Sequence, residues 1–88
     1  MPFDEQEIKR QIAAYDEEIA GIRQYLESIS NQLYMNDQER SDLGGPYMAQ
    51  MAASINAREQ QLRAQRDQVA SRLPQLEFER RRLKAMLN

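Results

Sequence analysis

Apolar residues in the first half of the chain recur at alternating intervals of four and three residues, without a break. They are Ile8, Ile12, Tyr15, Ile19, Ile22, Leu26, Ile29 and Leu33. This spacing places these side chains along one face of an α-helix, and its regularity over four heptads is typical of a coiled coil. Steps of seven from Ile12 define the a positions, and steps of seven from Ile8 define the d positions. The pattern therefore predicts one long helix with a narrow apolar seam.

The chain also carries signals for where this first helix begins and ends. Asp4 can accept a hydrogen bond from the backbone amide of Glu7, and the Glu7 carboxylate can return a bond to the Asp4 amide. Gly44 can adopt the left-handed conformation that closes a helix. We therefore expect a helix over about residues 5–43, followed by a turn at about residues 44–45.

The second half has an apolar repeat of seven residues, which predicts a second helix over about residues 46–87. The repeat consists of Met48, Ile55, Leu62, Val69, Leu76 and Leu83. The a positions between these residues are mixed in character, and three of them are charged. Pro74 removes one backbone hydrogen bond from this helix. Because the repeat continues through Pro74, we expect a kink on the outer face near residue 74.

Folding the chain back at its pair of glycines brings the two apolar repeats together in antiparallel orientation. Facing residues then have numbers that add to about 88, which places Ile12 opposite Leu76 and Ile19 opposite Val69. Residues 1–44 carry ten acidic and four basic side chains, and the remainder carries four acidic and eight basic ones. The predicted fold class is all-α, an antiparallel two-helix coiled-coil hairpin that comprises residues 1–88 as a single domain.

A pair of helices leaves most of its surface in water, so the pattern also predicts self-association. Small residues form a strip beside the seam on the first helix, matched by small residues on the outer face of the second, namely Ala13, Ala14, Ala20 and Gly21 on the first and Ala57, Ala64 and Ala85 on the second. We expect two hairpins to form a homodimer, a four-helix bundle. The charged a residues Glu59, Arg66 and Arg80 either reach the edge of the seam or pair with the neighbouring hairpin and set its register.

Aromatic and methionine side chains mark the expected contact surface. Five lie near the bend, Tyr34, Met35, Tyr47, Met48 and Met51, and Phe78 lies on the outer face of the second helix. Such side chains are adaptable and are enriched in protein interfaces. We therefore predict that these six residues bind a partner.

Composition restricts the class of function. The chain has no histidine and no cysteine, so it lacks the commonest metal ligands, the usual proton shuttle at neutral pH and a thiol nucleophile. We predict a non-enzymatic protein–protein interaction module, an adaptor, scaffold or chaperone-like subunit, with no catalytic residues, cofactor or metal. The alternative is a regulator of a nucleic-acid machine such as RNA polymerase or a nuclease, acting through the hairpin tip or the basic segment 78–88.

The expected partners are a second copy of the chain and another protein. No stretch approaches the roughly 20 apolar residues that span a bilayer, and the first ten residues are acidic and polar. We therefore expect a cytoplasmic protein that binds no membrane and no small-molecule substrate. The acidic overall charge disfavours free nucleic acid as a partner.

Overall fold

The computed structural model describes residues 4–43 and 49–87, and nearly all of them are helical. The helices are α1 (Glu5–Asp42), α2 (Ala49–Ala70) and α3 (Leu73–Met86). The second arm, α2 with α3, folds back along α1 and contacts it through both helices, in a rod of 72 × 15 × 14 Å. The predicted all-α hairpin is confirmed, whereas its association into a four-helix bundle stays a prediction.

Helix α1 begins where its capping residue predicts. The Asp4 carboxylate accepts hydrogen bonds from the backbone amides of Gln6 at 3.0 Å and Glu7 at 3.4 Å, which satisfies amides that have no partner inside the helix. The Glu7 carboxylate turns to Arg10, at 3.2 Å, instead of returning a bond to Asp4. Helix α1 ends at Asp42, and the predicted turn at residues 44–45 lies outside the described residues, as does the predicted helix start at residue 46.

The hydrophobic core is the predicted seam. Its buried members are Ile8, Ile19, Ile22, Ile29, Ile55, Leu62, Leu76 and Leu83. Every one of them occupies an a or d position of the apolar repeats. Ile29 is fully enclosed, with 0% of its surface exposed, so the centre of the seam excludes water even though only two arms cover it.

The second arm bends at residues 71–72, close to the kink that the sequence predicts near residue 74. The Arg72 amide donates to the Val69 carbonyl at 3.1 Å, a bond that spans three residues and closes α2 as a turn. Pro74 follows in the first turn of α3, where its missing N–H costs no helical bond. The break therefore precedes the proline, and Leu76 beyond it is still buried in the seam.

The two arms align one heptad away from the predicted register. Leu76 forms a buried cluster with Ile19 and Ile22, whereas the prediction placed it opposite Ile12. Val69 and Leu26 pack against the same cluster. A slip of seven residues moves every a and d residue onto an equivalent position, so the apolar repeat fits both alignments. The predicted pairing was therefore wrong by about 10 Å along the rod, which is seven residues at 1.5 Å each.

Candidate interaction surface

The predicted contact residues within the described ranges are largely exposed. Tyr34 is 64% exposed, Met35 62%, Met51 54% and Phe78 58%. Tyr47 and Met48 lie outside the described residues. Large apolar side chains with more than half of their surface in water are free to be covered by a partner.

The structure places these residues in two separate regions of the rod. Tyr34 and Met35 follow the seam residue Leu33 near the C-terminal end of α1, and Met51 lies in the first turn of α2. These three belong to the half of the hairpin nearest the bend, and we call them the tip patch. Phe78 lies in α3, beyond the break in the second arm, and so does not belong to the tip patch.

The predicted strips of small residues are uncovered in the single chain. All of their members are exposed, namely Ala13, Ala14, Ala20, Gly21, Ala57, Ala64 and Ala85. A Cβ atom built on Gly21 meets nothing within 4 Å. Glycine within a helix costs about 0.5–1 kcal/mol relative to alanine. Packing inside the hairpin therefore gives no reason for a glycine at this position.

A buried polar residue interrupts the seam between α1 and α2. Asn36 occupies the d position one heptad after Ile29 and is only 2% exposed. Its Nδ2 donates to the Ile55 carbonyl at 2.9 Å, and its Oδ1 accepts from Arg58 Nη1 at 3.3 Å. The same Arg58 nitrogen lies 3.3 Å from Glu39 Oε2. Both polar ends of the buried amide are therefore satisfied by the second arm.

Arg40, at the next a position, extends this polar contact. Its Nη2 donates to Asn56 Oδ1 at 3.0 Å and to Glu59 Oε2 at 2.8 Å, both on α2. Its Nη1 donates to Asp37 Oδ1 at 2.9 Å on its own helix. We call the residues that make the cross-arm bonds the polar layer, which consists of Asn36, Glu39, Arg40, Asn56, Arg58 and Glu59.

Asn36 and Arg40 were not predicted as contact residues, because the predicted seam ended with its last apolar residue, Leu33. A step of seven from Ile29 reaches Asn36, and a step of seven from Leu33 reaches Arg40. Counting heptads without regard to polarity would have identified both as residues that face the second arm.

The charged a residues of the second arm all have partners within the chain. Glu59 binds Arg40, Arg66 Nε lies 3.2 Å from its neighbour Asp67, and Arg80 contacts Asp16 on α1. The Arg66 side chain is 38% exposed, as expected for a long side chain that reaches the edge of the seam. A role of these residues in setting the register between two hairpins stays a prediction.

Two arginines act on the carboxylate of Glu59. Hydrogen bonds from Arg63, at 3.2 Å, and from Arg40, at 2.8 Å, hold the pKa of Glu59 below its ordinary value of 4.5. A carboxylate whose pKa is lowered on folding stabilises the folded state above its unfolded pKa. That stabilisation is lost as the pH falls through the lowered, folded-state pKa.

Glu59→Gln is therefore expected to destabilise the hairpin at pH 7 and to have a smaller effect in acid. Urea unfolding of both proteins, followed by circular dichroism between pH 3 and pH 7, measures this. The difference in unfolding free energy should be constant above about pH 5 and shrink below pH 4.5 as the parent Glu59 is protonated. A difference that is the same at pH 3 and pH 7 would contradict the assigned ion pairs.

Comparison with known proteins identified no matching protein family, no matching curated protein and no matching solved structure. Within residues 4–43 and 49–87, no helix has the length and apolar character needed to cross a membrane. The same residues contain no group of three or more acidic side chains arranged to hold a metal ion.

Proposed function

We propose that this protein is a protein–protein interaction module that forms a homodimer of hairpins and binds a further protein on its exposed faces. The observation that supports self-association is the exposed area of the single chain, 6850 Å². A compact monomer of 10.3 kDa exposes about 5,400 Å². The excess is larger than the roughly 800 Å² that each partner buries in a standard interface.

We propose that two hairpins contact each other through the tip patch. Residues 28–36 and residues 49–57 contain no charged side chain, in a chain of which 30% is charged. These two segments lie on opposite arms in the half of the rod nearest the bend. Depletion of charge together with exposed tyrosine and methionine is the compositional signature of an interface core. The charged residues that adjoin these segments, Arg40, Arg58 and Glu59, are engaged in ion pairs between the arms.

Light scattering at micromolar concentration tests the self-association. We expect a particle of twice the chain mass of 10.3 kDa. Tyr34→Glu with Met35→Glu adds two charges to the tip patch and should weaken dimerisation by at least about tenfold, since an unpaired charge in an interface core is costly. Gln6→Glu with Gln24→Glu adds the same charge to exposed positions of the same helix, in the half away from the bend, and serves as the matched control.

Two results would contradict the proposal. The first is a parent protein that is monomeric at micromolar concentration. The second is an equal loss of dimer in the tip-patch variant and in the control, because this would trace the effect to net charge and not to the tip patch.

The alternative function, regulation of a nucleic-acid machine, depends on the tip or on the basic residues near the C-terminus. Arg80 contacts Asp16, and Arg82 Nη2 lies 2.7 Å from Glu79. Two of the four basic side chains in segment 78–88 are thus engaged within the hairpin, which reduces the charge available for direct contact with phosphates. Binding of the chain to free nucleic acid that weakens steeply with salt would instead favour the alternative.

A further inference from the structure

The apolar seam alone does not determine how the two arms align. In the structure Leu76 packs with Ile19 and Ile22. A slip by one heptad would place Leu76 opposite Ile12 and would still match apolar a residues with apolar d residues. Some other feature of the chain must therefore discriminate between the two alignments.

The polar layer supplies this discrimination, because its cross-arm contacts exist in only one alignment. The residues of α2 whose side chains bind Asn36, Glu39 and Arg40 are Asn56, Arg58 and Glu59. One heptad earlier, the equivalent positions are Ala49, Met51 and Ala52. A slip in that direction would leave Arg40 and Glu39 without a charged partner on the second arm and would remove the Arg58 bond from the buried amide of Asn36.

A slip in the opposite direction is also unfavourable. One heptad after Asn56, Arg58 and Glu59, the chain has Arg63, Gln65 and Arg66. Arg40 would then face two arginines, and like charges at close range repel. The observed alignment is the one of the three in which every member of the polar layer meets a complementary group.

We propose that the polar layer is a register lock, which selects one of several heptad-related alignments of the hairpin that the apolar seam accepts. The lock acts within one chain and does not depend on the proposed dimer. A buried asparagine in a coiled-coil seam can specify register in this way, because the other alignments take away the Arg58 donor that its amide oxygen has here. The alignment that the register lock selects determines which residues of the second arm lie beside the tip-patch residues of α1.

The register lock can be tested by moving the three α2 residues of the polar layer one heptad along the chain. The exchange variant carries Ala49→Asn, Met51→Arg, Ala52→Glu, Asn56→Ala, Arg58→Met and Glu59→Ala. It leaves the composition of the chain unchanged and moves the three partners seven residues toward the start of α2. The lock predicts that the second arm slips by the same seven residues, which is about 10 Å at 1.5 Å per residue.

The slip can be measured as a distance between spin labels. The chain has no cysteine, so Glu17→Cys with Gln60→Cys provides two labelling sites, both exposed and on opposite arms. Diluting labelled chains with unlabelled ones removes distances between chains. The exchange variant should shorten the 17–60 distance by about 10 Å, because the slip moves residue 60 toward the level of residue 17.

A matched control removes a cross-arm ion pair outside the polar layer. Arg23 Nη2 lies 3.1 Å from Glu77 Oε1, and Arg23→Gln should leave the 17–60 distance unchanged. A second variant, Asn36→Leu with Arg40→Leu, removes both polar residues of α1 from the seam and should produce two distances about 10 Å apart. An unchanged single distance in both the exchange variant and the leucine variant would overturn the register lock.

Discussion

Replacing Ile29 with alanine is expected to lower the free energy of unfolding by about 2–5 kcal/mol, the range for removing a large apolar side chain from a core. Ile29 is the one core residue with no exposed surface among those described, so the substitution leaves a cavity that water does not already fill. The hairpin has only a narrow core, and a loss of this size should leave much of the chain unfolded at room temperature. Urea unfolding followed by circular dichroism measures the effect.

Graded substitutions at the same position separate lost packing from a general loss of helix. Ile29→Val removes one methylene and should cost about 0.5–1.5 kcal/mol. Gln32→Ala changes an exposed position one turn away and should change stability by less than about 0.5 kcal/mol. An Ile29→Ala protein as stable as the parent would show that the seam is not closed at its centre.

Leu76→Ala should be nearly as destabilising as Ile29→Ala. The coupling of this substitution to substitutions on α1 shows which residues Leu76 contacts, and therefore how the two arms align. Leu76 is buried against Ile19 and Ile22 beyond the break in the second arm, so its loss should also cost about 2–5 kcal/mol. In a double-mutant cycle, Leu76→Ala combined with Ile19→Ala should show a coupling energy of about 0.5–3 kcal/mol, as contacting residues do. Combined with Ile12→Ala it should be additive to within about 0.5 kcal/mol.

The opposite pattern of coupling would contradict the alignment. Strong coupling of Leu76 to Ile12 with additivity toward Ile19 is the result expected from the register that the apolar repeat alone suggests. The double-mutant cycle thus distinguishes two alignments of the hairpin that have the same helices and the same core residues.

The helices and the core could be predicted because they depend on local patterns. Asp4 caps α1 as its side-chain chemistry requires, and the buried isoleucines and leucines all lie in the apolar repeats. A kink near Pro74 was predicted, because the repeat continues through the proline, and the second arm bends just before it, at residues 71–72. Whether the helix bends or stops there depends on how the carbonyls of the preceding turn are satisfied, here by the Arg72 amide.

The register could not be predicted from the apolar residues because a heptad repeat is unchanged by a shift of seven. The information that distinguishes the alignments lies in Asn36 and Arg40 and in the polar residues of α2 that bind them. The exposed tip patch, in contrast, was recognisable from residue type, because large apolar side chains at positions outside the seam have no core to enter.

Whether the chain folds back on itself can be measured directly. Spin labels at Gln24→Cys and Gln68→Cys, both exposed positions on opposite arms, can be measured in chains diluted with unlabelled protein. The hairpin predicts a backbone separation near its width of 15 Å. A separation of about 66 Å, the length of 44 residues in one straight helix at 1.5 Å each, would contradict it.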